Sequence, residues 1–569
     1  VEQPGRGDLV AWRASKSANF YDDLPDLASI LQLRMGHAAD PALLDRFRAF
    51  GAIVATVIDP AVTLLERHRE FPKLRPYDEL GQHIDQIEFH PAQSVAAGAA
   101  WASGMLATPL DFDGAFELAV QFLLLSHVGE GGQACPIVCT IGLRRAIEHH
   151  GNTELRTKYL AGLTDADAAS ALRGSQFLTE VQGGSDVGAN VARALPDAQV
   201  AGAWRISGEK WFCSVADADL FAVTARPDDA AAGTPGLACF VIPRTLDGTT
   251  PNGFRLRRLK DKLGTRALAS AEIDFENALA WPVGELGDGF KIAVSELLNT
   301  SRWLNAVGST GIMHRAYLEA RGFAHHRDAF ATTIIDFPAV REQLAIMKTE
   351  AAAALASTMA LTELVAKIDA GVATGTDVAV HRFLVNANKF VTSISASDVV
   401  HRGIEVLGGN GTIEDFSPLP RLYRDAVVFE SWEGTHNVLC AQVYRDCVRL
   451  GLVDTVFSWI EAELSLLENP EGRSATQILL SLGDLRPQLE RSIRDEDHAA
   501  RHFRRQLASL MAIVQATCLV REVDQALPST ERTAVARLFI GRHLSVQPPG
   551  EEPAWTAFVD QTLGLDIIT

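Results

Sequence analysis

Hydrophobic positions along this 569-residue chain change their spacing twice. From Pro41 onward, Leu43, Leu44, Phe47, Phe50 and Gly51 recur at intervals of three and four, the signature of one face of an α-helix. Asp40 before Pro41 supplies an N-cap and a proline at the first helical position. Further helices are predicted from Pro91 to about Leu106, and from near Asp113 through Phe116, Leu118, Ala119, Phe122 and Leu123. Another runs from Cys135-Pro136 to His149. The opening segment, through Phe20-Tyr21 and Asp26-Leu27, reads as an irregular arm. Up to roughly residue 170 the expected structure is all-helical.

Near Gly174 the pattern shortens to alternating runs at 203–207, 210–213, 220–226, 237–243 and 271–275. Ser207-Gly208, Pro235-Gly236 and Asn252-Gly253 separate them as turns. Short strands at this spacing predict a small antiparallel barrel or sandwich, ending near Pro282-Val283-Gly284. Helical spacing then resumes to about residue 450, broken by Gly408-Gly409-Asn410-Gly411. Beyond it lies a further helical region containing an amphipathic stretch from Ala499 to Val520. The predicted class is α+β, mainly α. Its expected divisions are an N-terminal arm and helical domain (1–172), a β-barrel domain (173–284), a helical bundle (285–450) and a C-terminal helical extension (451–569).

Charge narrows the function. The net charge is −19 and the sequence pI about 5.3, so nucleic-acid binding would need a local basic patch. Residues 451–569 hold 11 Arg, no Lys and 17 Asp plus Glu. A region of that sign matches phosphates poorly. Arg501, Arg504 and Arg505 do cluster, but just after Asp495-Glu496-Asp497. The seven cysteines include no CxxC pair, which predicts reduced, buried thiols in a cytoplasmic protein. No stretch reaches the roughly 18 apolar residues that span a bilayer, and the first twenty residues carry no signal-peptide pattern. No membrane association is expected.

Three segments carry candidate chemistry. Phe177-Leu178-Thr179-Glu180-Val181-Gln182-Gly183-Gly184-Ser185-Asp186 lies where helices give way to strands. Paired glycines let the backbone approach a ligand, with Ser185 and exposed N–H groups able to hold an anion or a carbonyl. Alone, such a loop is usually just a turn. In Gly208-Glu209-Lys210-Trp211-Phe212-Cys213-Ser214, residues two apart share a strand face. Phe212 could stack on a planar ring while Ser214 bonds to its edge, or both could be barrel packing. In Trp432-Glu433-Gly434-Thr435, an acid set among apolar neighbours is a candidate base or an ordinary paired carboxylate.

In this order, and with the Gly408–Gly411 loop between the second and third, these segments resemble the acyl-CoA dehydrogenase family. Arg327-Asp328-Ala329-Phe330 resembles the family's Arg-x-x-Phe segment, and Arg421-Leu422-Tyr423-Arg424-Asp425 the stretch before its base. Spellings such as Thr179–Asp186, Lys210–Val215 and Arg258–Gly264, together with the Asn19–Tyr21 arm and the long extension, are most similar to the AidB-like branch of adaptive-response flavoproteins.

The resemblance implies an N-terminal helical domain, a barrel, a four-helix bundle and an extra helical domain. It implies FAD as cofactor, contacted by Phe177, Thr179, Gly184, Ser185, Phe212, Ser214, Arg327, Phe330, Gly408, Gly409, Trp432, Thr435 and Asn437. Arg327 and Phe330 would reach the FAD of a neighbouring subunit, so a homo-oligomer (dimer or homotetramer) is expected. Ser185, Arg302 and Gly434 would contact substrate, and Glu433 would be the catalytic base. The implied reaction is α,β-dehydrogenation of an acyl thioester by proton abstraction and hydride transfer to flavin, with electron-transfer flavoprotein or oxygen as acceptor. A DNA-associated role is the branch's alternative, and flavin-dependent oxidation of a nitrogen or nitro compound a third. Asn299 stands where CoA-binding members often carry an acid, and Ala331 where a glycine is usual. The acyl carrier, CoA or a carrier protein, is therefore left open.

Overall fold

The computed structural model describes residues 5–469, 472–545 and 554–565. These group into two compact units: the described residues up to 56, with 109–129 and those from 305 onward, form the first, and residues 57–108 and 130–304 the second.

The second unit is built around a barrel. Strands β1 (Lys73–Tyr77) and β2 (His83–Glu88) pair as an antiparallel hairpin ahead of it. The barrel strands are β3 (Gly174–Phe177), β4 (Arg193–Pro196), β5 (Trp204–Ser214), β6 (Leu220–Pro227), β7 (Ala238–Pro243), β8 (Phe254–Leu259) and β9 (Ser270–Pro282). Their order is β3-β6-β4-β5-β9-β7, with β8 beside β9 and a β6–β7 pairing that closes the ring. Most pairs are antiparallel, but β6 pairs in parallel with both β3 and β4. No hairpin makes those two pairings: β3 and β4 pair with successive parts of β6, at Leu220–Val223 and at Arg226–Pro227.

Helices Ala134–His150 and Thr153–Leu163 cover one barrel face. Leu143, Ile147, Leu155 and Leu163 pack with Leu178, Leu220, Cys239 and Val241 in one cluster. Gly174 lets β3 lie against the first helix, since a Cβ there would sit 3.0 Å from Thr140 Cα. The Gly174 N–H donates to Thr140 Oγ1 at 2.9 Å.

The first unit is helical. Its long helices Pro338–Asp369 and Gly375–Leu407 pack with Leu419–Ser431 and with the part of Asn299–His326 from Asn305 onward. Leu344, Met347, Val399, Leu422 and Phe429 share one core with Leu538, Trp555 and Phe558 from the C-terminal region. The stretch that predicts an amphipathic helix lies in Glu496–Gln525, with Leu507, Leu510, Ile513 and Val514 buried.

Three expectations are corrected. The opening segment is not an irregular arm: Arg6–Ala14 and Leu27–Met35 are helical. Tertiary contact decides this, because Trp12 is buried between Phe323 and Phe416 at ring distances of 5.4 and 5.0 Å. The first 170 residues are not all-helical, since β1 and β2 lie there. Their side chains are mostly exposed, so they leave little of the apolar alternation that marks a strand. Finally, Pro41–His68, Pro338–Asp369 and Glu496–Gln525 are long and apolar enough to cross a membrane by length and composition alone. Runs interrupted by one or two polar residues hide that average. In this fold 78% and 72% of the apolar windows of the second and third are buried by packing, against 39% for the first. All seven cysteines are buried, and none forms a disulfide.

Candidate active site

Each unit carries its own cluster of the residues singled out above. On the barrel, β3 alternates so that Phe177 points inward. Its ring is fully buried, 5.1 Å from that of Phe221. That ring is part of the barrel core, so a ligand at Phe177 would meet its backbone. Thr179 follows, half-buried. Its carbonyl accepts from the Trp211 N–H at 2.9 Å, which ties the first motif to the second.

The glycine turn has two different needs. A Cβ on Gly184 would lie 2.6 Å from Thr179 Oγ1, whereas Gly183, at φ +146°, faces open space. Ser185 is exposed beside them. Beneath the turn, Glu180 and Lys210 form a buried ion pair at 2.8 Å. Glu180 also accepts from the N–H groups of Val191 (2.7 Å) and Ala192 (3.2 Å), and Lys210 donates to the Leu178 carbonyl at 3.2 Å. Burial pushes the Glu180 carboxyl up, but the Lys210 charge and these donors outweigh it and hold it below the usual range.

Along β5, Cys213 is fully buried, Phe212 is 54% exposed, and Ser214 Oγ lies 2.9 Å from Ser270 Oγ. The alternation places Phe212 and Ser214 on the outer face. A bulge between Lys210 and Cys213 brings Trp211 out as well. The Lys260 ammonium sits 3.6 Å from the Trp211 ring centroid and 4.8 Å from that of Phe212. Period-two reasoning had no means of finding Trp211 or Lys260 there. Arg302 is buried near the start of Asn299–His326, with Nη1 3.4 Å from Asn299 Oδ1.

On the helical unit, Trp432-Glu433-Gly434-Thr435 links helices Leu419–Ser431 and His436–Leu450. Glu433 has φ +58° and Gly434 φ +107°. Trp432 stacks on Phe429 at 5.1 Å. Asn437 Oδ1 accepts from Arg504 at 2.7 Å. His436 is pushed down to about 4 by burial and by the charges of Lys389 and Arg504, so it is neutral at pH 7. Gly408 and Gly409 sit in an exposed turn over open space. Arg327 pairs with Asp8 at 3.6 Å. Phe330 is 94% exposed at the tip of a two-residue hairpin in which both Phe330 (φ +54°) and Ala331 (φ +65°) are left-handed.

The "Acyl-CoA dehydrogenase, middle domain" profile matches residues 175–278, and the "Acyl-CoA dehydrogenase, C-terminal domain" profile matches 287–447. The "Adaptive response protein AidB N-terminal domain" profile matches 15–167. AidB of Escherichia coli (strain K12) is 34% identical over 388 residues, covering 66% of this chain and 69% of that protein. The chain belongs to the acyl-CoA dehydrogenase family. Acyl-CoA dehydrogenase family member 11 of Caenorhabditis elegans is 30% identical over 482 residues, 82% of this chain and 73% of that one. The crystal structure of C. elegans ACDH-11 in complex with C11-CoA superposes with a TM-score of 0.83 at 25% identity, over 93% of this chain and 91% of the other. Within the acyl-CoA dehydrogenase family this chain is AidB-like, and it is an oxidoreductase.

Proposed function

We propose that this protein is an FAD-dependent oxidoreductase that dehydrogenates an acyl thioester between its α and β carbons, with Glu433 as the base. The observation that carries the reading is the linker geometry: a glutamate held left-handed between two helices, backed by a stacked tryptophan and followed by a glycine. Such a conformation costs an L-residue free energy and is kept where a side chain must be aimed.

The barrel residues fit a planar cofactor that carries phosphates. Phe212 offers an outward ring, Thr179 and Ser214 offer hydroxyls, and the Gly183–Ser185 turn offers open backbone. Bound there, FAD supplies a two-electron acceptor. The remaining work falls to the chain. The Glu433 carboxylate takes the α-proton of the substrate. The Glu433 N–H donates to the thioester carbonyl oxygen, stabilising the charge that develops as the proton leaves. The membership of the chain and the C11-CoA held by the ACDH-11 structure support a CoA thioester as substrate. A strained, exposed Phe330 supports a homo-oligomer in which another copy covers the hairpin. A DNA-associated role is less well supported: the extension is net acidic, and Arg504 is engaged with Asn437. In the test, Glu433→Gln keeps its flavin but loses flavin reduction by acyl-CoAs; reduction at the wild-type rate rejects the assignment.

A further inference from the structure

We propose that Lys389 is a positioning residue that sets the conformation of Glu433; the inference rests on the reading of Glu433 as base. Lys389 lies in the middle of helix Gly375–Leu407, and its side chain is fully buried. Its ammonium donates to the carbonyl of Glu430 at 2.9 Å and to that of Gly434 at 3.0 Å. These two carbonyls bracket Glu433. The first lies in the last turn of Leu419–Ser431, and the second lies two residues before His436–Leu450 begins. One side chain therefore pins both ends of the segment that carries the base.

The physical logic favours a cation at this spot. Carbonyls in the last turn of a helix have no partner within it and carry its partial negative charge. An ammonium presents three donors on one nitrogen, so it can bond to carbonyls from two different segments at once. Packing alone would not select it, because burying an ammonium is costly and a methionine of similar length fills the same space. Glu433, at φ +58°, is in a left-handed region that L-residues other than Asn and Asp rarely adopt. Strained residues persist where their surroundings over-determine them. Here Lys389 fixes the carbonyls on both sides, and the Trp432–Phe429 stack fixes the residue before it.

The test compares wild type with Lys389→Met in the FAD-loaded enzyme. Three quantities are read: amide hydrogen exchange of the 431–436 segment, the dissociation constant of an acyl-CoA from its flavin spectral perturbation, and the single-turnover rate of flavin reduction. Positioning predicts faster exchange in that segment with unchanged exchange in the barrel strands. It also predicts a nearly unchanged dissociation constant and a reduction rate lower by roughly 100-fold, the loss expected of a reacting group displaced by about 1 Å. Lys389→Gln, which keeps N–H donors, restores part of both effects and serves if Lys389→Met does not fold. Wild-type exchange in the 431–436 segment of any folded variant overturns the proposal. If no acyl-CoA reduces wild-type flavin, the functional reading fails, and the exchange measurement still decides whether Lys389 holds the linker.

Discussion

The buried pair under the glycine turn makes a quantitative prediction. Glu180 is 1% exposed and Lys210 fully buried, so Lys210→Met leaves a carboxylate inside the barrel without its cation. Removing one partner of a buried ion pair typically costs about 3–5 kcal/mol. The Val191 and Ala192 N–H groups and Gln182 still donate to Glu180, which places the expected loss at the lower end, about 3 kcal/mol. The pH dependence carries a sign. In the wild type the Glu180 carboxyl is held below its ordinary value. Its contribution is therefore complete above the unfolded value and is lost as pH falls through the folded one. In Lys210→Met burial dominates and the carboxyl moves up. The folded variant then takes up a proton sooner than the unfolded chain, so its deficit shrinks as pH falls from 8 towards 5. Equilibrium urea unfolding at several pH values measures this, with Glu180→Gln/Lys210→Met recovering most of the loss. A penalty under about 1 kcal/mol at pH 7, or one that is equal at pH 5 and 8, would show that Lys210 does not stabilise a buried Glu180 carboxylate.

Two further outcomes follow from single atoms. Gly184→Ala drives a Cβ to within 2.6 Å of Thr179 Oγ1 and is expected to lower the FAD content of the purified protein at unchanged helical content; full flavin occupancy contradicts the tight-turn account. Glu522 is buried in helix Glu496–Gln525, and burial pushes its carboxyl up to about 7, against the pull of Arg532 and Arg34. A carboxyl raised on folding becomes destabilising as pH rises above its unfolded value, and the penalty is complete above its folded one. Glu522→Gln should thus raise stability at pH 8 by about 3 kcal/mol and change little near pH 4; thermal melts across that range check it.

Much of the architecture is legible in the chain because it depends on local periodicity. Helix Pro41–Ile53, with Asp40 accepting from the Ala42 N–H, starts at its predicted cap. The strand region begins at Gly174 and the last barrel strand ends at Pro282. The site is less legible where partners are distant. Lys210 meets a carboxylate thirty positions away, and Lys389 meets carbonyls more than forty positions away. Neither shows in a window of neighbouring residues. The Phe177 ring faces the core, because alternation along β3 and packing on Phe221 decide its direction. The bulge at Trp211–Phe212 lies beyond any period-two rule, since it depends on where β9 slips against β5.

If Glu433 removes a proton from an acyl thioester as this flavoenzyme turns over, flavin reduction needs its carboxylate. Anaerobic mixing of the FAD-loaded protein with a panel of acyl-CoAs and carrier-protein thioesters tests it most directly. At least one acyl thioester is expected to bleach the wild-type flavin, and Glu433→Gln to bind the same substrate and flavin without bleaching. Bleaching of both proteins at equal rates, or of neither by any thioester, contradicts it.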